Sequence, residues 1–103
     1  MVNEFYEVVW DDAALDQLSK IYDYIKKDSY QNAEKVREKV FDLTDELERM
    51  PARYNRDKMR RDKNPNYRAF EVDRIRISYF IDDHSRTVKI VRVRSVWRKP
   101  LGY

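Results

Sequence analysis

What this 103-residue chain lacks narrows its chemistry: it has no cysteine, a single glycine and a single histidine. Without cysteine there is neither a disulfide nor a thiolate metal site, which suits a reducing compartment such as the cytoplasm. One glycine and one histidine cannot supply a glycine-rich phosphate loop, a zinc-spaced ligand set or a Ser/His/Asp arrangement. Paired carboxylates occur at Asp11-Asp12 and Asp82-Asp83, but their settings read as a helix cap and a turn. No metal and no cofactor is expected. Met1 is followed by Val-Asn-Glu-Phe, with no basic or apolar leader pattern, so no secretory signal is expected. No apolar run approaches the roughly 20 residues that cross a bilayer, and the expected location is the cytoplasm.

Charge is plentiful instead. Asp, Glu, Lys and Arg make up 40% of the chain, and the mean hydropathy is −0.94. Such values suit disorder, yet aromatics reach 14% and the apolar residues are periodic, so a folded domain with a highly charged surface is expected over residues 1–103. The net charge of +3 conceals a division. Residues 1–50 hold 7 Lys/Arg against 13 Asp/Glu, and residues 51–103 hold 15 against 6. A basic C-terminal half is the electrostatic footprint of a nucleic-acid binder, or simply a solvated surface segregated by charge.

The stretch from Tyr67 to Arg98 organises the rest. Within it Ile75, Ile77, Tyr79 and Ile81 fall on one face, and Arg74, Arg76, Ser78 and Phe80 on the other. That period of two, in β-branched and aromatic residues, predicts a strand with one buried face. A second strand follows over Thr87 to Arg94, joined through the turn Asp82 to Arg86, so Arg74, Arg76, Arg92 and Arg94 are expected together on the side opposite the isoleucines. Arg68 shares parity with Phe70 and Val72, which puts it on the core side unless a bulge intervenes. Upstream, Asn3 to Trp10 predicts a first strand. Asp11-Asp12 are placed to cap a helix over about 12–27, with Leu15, Leu18, Ile21/Tyr22 and Ile25 as its apolar stripe. Ser29 is placed to cap a second helix carrying Ala33, Val36, Val40, Leu43, Leu47 and Met50 until Pro51 ends it. Tyr22, Tyr24 and Tyr30 read as core and rim packing. Residues 51–66 show no periodicity and read as a mobile loop, either a solubilising connector or a basic arm in which Arg60, Arg61 and Lys63 gather phosphate oxygens. The predicted fold is α+β: an N-terminal strand, an antiparallel two-helix hairpin and a three-strand antiparallel meander, forming one small, mainly antiparallel sheet with the helices on one face.

With the IYDYI run at Ile21–Ile25, Pro51, Tyr67-Arg68, the RISYFID run at Arg76–Asp82, the VKIVRV run at Val88–Val93 and Arg98, the chain resembles the RelE/ParE superfamily of bacterial toxin–antitoxin toxins over nearly its whole length. The resemblance implies the same fold and one of two activities. RelE-like members cut messenger RNA in the ribosomal A site without a metal, and ParE-like members inhibit DNA gyrase; both are neutralised by an antitoxin. Carried over residue by residue, Arg76 matches the residue that binds the scissile phosphate, Arg68 and Arg98 match two further basic positions, and Tyr103 corresponds to a C-terminal aromatic. The chain departs from the RelE pattern at Phe70, where a lysine is usual, and at Ser95, where a histidine is common.

Metal-free RNA cleavage needs the 2′-hydroxyl deprotonated and the extra phosphoryl charge stabilised. Arginine does the second task and not the first, because it stays charged. Arg76 is therefore the expected phosphate clamp, with a salt bridge to Asp73 or Glu71 as the plain alternative. Arg74, Arg92 and Arg94 would flank it, and Trp97 would stack on a base or cover the core edge. His84, the only ready-made base, falls in the hairpin turn and reads as a turn residue. The expected function is a ribosome-dependent mRNA endonuclease, with ribosome, mRNA and antitoxin as partners; the alternative is a non-enzymatic gyrase inhibitor.

Overall fold

In the computed structural model, residues 5–96 are described. The first strand, β1 (Glu7–Trp10), leads into α1 (Asp12–Lys26) and α2 (Tyr30–Asp45), followed by a short 3₁₀ turn over Glu46–Glu48. After a long connection come β2 (Tyr67–Val72), β3 (Ile75–Asp82) and β4 (Thr87–Ser95). The sheet order is β1-β4-β3-β2. The meander pairs antiparallel, whereas β1 lies parallel to β4, with Val8 beside Val88 and Trp10 beside Ile90. The expected fold therefore stands, with one parallel pairing at its edge.

Both helices turn one stripe to the sheet. In α1 that stripe is Ala14 and Leu18, fully or nearly buried, continued by the half-buried Ile21 and Ile25; Leu15, expected in it, is 41% exposed. In α2 it is Ala33, Val36 and Val40. The second helix stops earlier than the apolar period suggests. It ends at Asp45, Leu47 is buried from within the 3₁₀ turn, and Met50 is 57% exposed. Ser29 caps α2 as expected, its hydroxyl accepting from the Asn32 amide at 3.1 Å. Asp11 occupies the N-cap of α1 but makes no side-chain bond to it. Tyr24 and Tyr30 are exposed rather than packed. Facing the helices, the sheet contributes Phe70, Val72, Ile75, Ile77, Tyr79, Ile81, Val88, Ile90 and Val93 to a single core.

Two turns fix the meander. With only one glycine, the chain builds the β2–β3 turn from Asp73 and Arg74, both at positive φ (49° and 63°), which gives the twist that a two-residue hairpin needs. Arg74 thus belongs to the turn and not to the strand face on which the alternation placed it; in a two-residue connection it cannot also continue the ladder. At the other end, Asp82 Oδ1 accepts from the amides of His84 and Ser85. These bonds hold its carboxyl below the usual range, the Ser85 amide contributing most. His84 is a turn residue, as expected. No helix among the described residues is long and apolar enough to cross a membrane.

Candidate functional site

Register decides which arginines share a face. Across the meander, Glu71, Arg76 and Arg94 stand side by side, as do Ala69, Ser78 and Arg92, and Tyr67, Phe80 and Lys89. Directly opposed residues in a ladder project to the same side, so Arg76, Arg92 and Arg94 meet on the face away from the helices. A register shift between Ser78 and Tyr79 leaves Val91 as an extra residue in β4. That bulge explains why Ile90 and Val93, three apart, both face the core. Arg68 lies across from Tyr79 on the helix side, and its guanidinium donates to the Tyr54 carbonyl at 2.6 Å. Parity reading placed it there. The structure accordingly separates Arg68 from the cluster to which the family resemblance assigned it.

The connection between α2 and β2 is neither featureless nor loose, as its composition suggested. Residues 55–57 run antiparallel beside β2: Arg56 bridges Arg68, the Ala69 amide donates to the Asn55 carbonyl, and the Asp57 amide donates to the Tyr67 carbonyl. Tyr54 turns inward and stacks on Phe70 at 4.2 Å. Asp57, three residues on, turns outward. Its side chain is 0% exposed and accepts from the Arg76 guanidinium at 2.7 Å, while also accepting from the Met59 amide. The second Arg76 nitrogen reaches Glu71 at 3.4 Å, so the salt-bridge alternative to a phosphate clamp is realised, with Asp57 as the closer partner and Asp73 paired elsewhere, to Lys39. Beyond Asp57 the segment folds over the outer face. The Arg60 guanidinium lies 3.4 Å from the centroid of the Tyr67 ring, and Tyr67 in turn packs against Phe80. Arg61 and Lys63 are exposed. Lys63 lines a small hollow of about 120 Å³ with Arg56, Asp57, Lys58 and Asn64. A larger one, about 450 Å³, lies at the end of α2 among Asp42, Asp45, Glu46, Glu48 and Arg49 and includes none of the expected residues.

Of the sequence-derived candidates, the structure thus brings together Arg76, Arg92 and Arg94, with Arg60 nearby over Tyr67. It places Arg68 on the opposite face and Arg74 in a turn. Trp97, Arg98 and Tyr103 lie outside the described residues. Sequence reasoning missed Asp57, one carboxylate in a strongly basic run. The only signal was its position three residues after Tyr54, which gives it the opposite side in an extended segment.

Tyr79 matched the buried isoleucines in parity and is fully buried. Its hydroxyl donates to the Pro51 carbonyl at 2.7 Å, and burial pushes the phenol up from 10.0 to about 12. The hydroxyl thereby ties β3 to the end of the helical layer. It is a structural group. Among the described residues no group of three or more His, Asp or Glu side chains could hold a metal ion.

Comparison with known proteins agrees with this architecture. None of the curated proteins matches the sequence. Among solved structures, the chain is similar to a protein of the chromosomal ParDE toxin–antitoxin system from P. aeruginosa, with TM-score 0.70 and 16% identity over 91% of this chain and 99% of that one. A chain of a RelBE toxin–antitoxin complex from Mycobacterium tuberculosis aligns with TM-score 0.59 and 25% identity, over 88% of this chain and 98% of that one. The isolated E. coli RelE toxin gives TM-score 0.60 and 19% identity, over 91% and 87%. Residues 8–99 match the model of the ParE toxin of type II toxin–antitoxin systems, and the chain belongs to that family, within the RelE/ParE superfamily of toxins.

Proposed function

We propose that this toxin acts by protein contact, as an inhibitor of DNA gyrase held in check by a cognate antitoxin, and does not cut RNA. The observation that carries this reading is the Arg76–Asp57 pair. The guanidinium that would have to grip a scissile phosphate is already held at 2.7 Å by a carboxylate with no exposed surface. An incoming phosphate would strand that carboxylate, and breaking a buried pair from one side costs about 3–5 kcal/mol. Two further observations support it. Phe70, at the position where the RNA-cutting branch carries a lysine, is buried in the core, stacked on Tyr54 and edge-on to Tyr79. The one histidine sits in the β3–β4 turn, at the opposite end of β3 from Arg76. A ribosome-dependent mRNA endonuclease, the function expected from sequence, retains one supporting observation: Arg76, Arg92 and Arg94 share the outer face.

The two readings separate in one pair of assays. Purified toxin is added to a gyrase supercoiling reaction, and messenger ends are mapped by primer extension after induction in cells. Blocked supercoiling with intact messages supports the proposal. Codon-positioned cuts that vanish in Arg76→Ala would replace it with the nuclease reading.

A further inference from the structure

We propose that Asp57 is the residue that denies the outer face of the sheet to nucleic acid, its carboxylate standing where a backbone phosphate would sit on Arg76. This rests on the reading that the toxin acts without cutting RNA, and it names the side chain that enforces it.

The row Glu71–Arg76–Arg94 explains why a carboxylate is needed there. Two arginines directly opposite one another on neighbouring strands repel. Glu71, half exposed and 3.4 Å away, is a weak counter-charge. Asp57 arrives from outside the meander, on the short segment that runs beside β2, and makes the close contact. With it in place the row carries two positive and two negative groups. Without its charge the row keeps two arginines and one partly solvated glutamate. Arg94, directly opposite Arg76 in the ladder, adds the second positive charge to that row. Arg92 lies two residues along β4 on the same side, and the Tyr67–Phe80 ring pair continues the face beyond Ser78. The surface that remains once the Asp57 charge is removed is cationic, with Arg60 already lying over the Tyr67 ring. Such a surface takes single-stranded nucleic acid through phosphate neutralisation.

The test compares wild type, Asp57→Asn, Asp57→Ala and the double variant Asp57→Ala/Arg76→Gln, each checked for folding by circular dichroism. The probe is a short fluorescein-labelled oligouridylate, and the readout is fluorescence anisotropy across a salt series. We expect both single variants to bind about tenfold or more tighter than wild type. The salt slope should steepen by about 0.7, the value for one further phosphate on a single strand, and both gains should vanish in the double variant. Unchanged affinity in a folded single variant overturns the proposal, as does a gain that survives the loss of Arg76. In parallel, wild type is titrated with tripolyphosphate while the Arg76 Nε–H resonance is followed by NMR. No shift at millimolar anion is expected, and a shift at micromolar anion overturns the proposal without any variant. Supercoiling by gyrase is measured on the same wild-type preparation. Failure to block it removes the functional reading and leaves the binding comparison to be judged by itself.

Discussion

Replacing Tyr79 by Phe removes one oxygen atom from the centre of the molecule, and two separate consequences follow from where that oxygen lies. At neutral pH the Pro51 carbonyl loses the donor it holds at 2.7 Å, and a polar group left unpaired in this way costs about 1–3 kcal/mol. Pro51 is only half-buried, so water recovers part of the loss and the lower half of that range is expected. For a domain of this size such a change lowers Tm by about 4–8 °C per kcal/mol. The second consequence is a pH dependence. Burial raises the Tyr79 phenol from 10.0 to about 12, so between those values the folded protein keeps a proton that the unfolded chain releases. The resulting stabilisation is complete below pH 10 and is lost as pH rises towards 12. Two pH units correspond to at most about 2.7 kcal/mol, and because the scan stops at pH 11.5, short of the folded value, the expected loss over it is about 2 kcal/mol. Urea denaturation of wild type and Tyr79→Phe from pH 7 to 11.5 measures both effects. The two stability curves should lie apart at pH 7 and converge above pH 10. Parallel curves through the alkaline range would refute the assignment of Tyr79 as a protonated, buried donor. Equal midpoints at pH 7 would refute the contribution of its bond to Pro51.

Two further perturbations probe the same framework. Because the Arg76 side chain is 11% exposed and that of Asp57 is 0% exposed, Arg76→Met alone should destabilise by about 3–5 kcal/mol. The double variant Asp57→Leu/Arg76→Met should be less unstable than the sum of its single changes by about 1.5 kcal/mol or more; additivity within about 0.5 kcal/mol in a denaturant cycle would mean that the pair is not coupled. The Val93 amide donates to the Gln17 side chain of α1 at 2.7 Å, so Gln17→Ala should cost about 1–3 kcal/mol. It should also speed exchange of the Val93 amide proton in hydrogen–deuterium NMR, and unchanged protection there would show that another acceptor serves it.

How much of this was legible beforehand depends on the distance over which each feature is decided. Alternation in β3 and helical spacing in α1 and α2 are local, and they placed Ile75, Ile77, Tyr79 and Ile81 in the core and Arg76 outside it. The same parity argument put Arg68 on the helix side against the family resemblance, and parity prevailed. Local reasoning failed where a few residues switch geometry. Asp73 and Arg74 leave the strand for a left-handed turn without the glycine that usually marks one. The α2 pattern ran on past the helix because the 3₁₀ turn still buries Leu47. The Asp57–Arg76 pair joins residues 19 apart across an aperiodic connection. Nothing in residues 51–66 repeats, so no period could reveal that three of them lie against β2. That pair also decides whether the arginine row is open to an anion, and the site was accordingly less legible than its scaffold.

The position of β4 carries one more consequence. Among the described residues it is the last strand in chain order, yet it lies inside the sheet, between the first strand and β3. The opening strand has no ladder partner until residues 87–90 exist, and the inner surface of α1 has no Val88, Ile90 or Val93 to cover it. A nascent chain halted anywhere before this point is a helical hairpin beside an unfinished sheet. The sheet, and the core that it closes over the helices, is complete only once residues 87–95 have joined it.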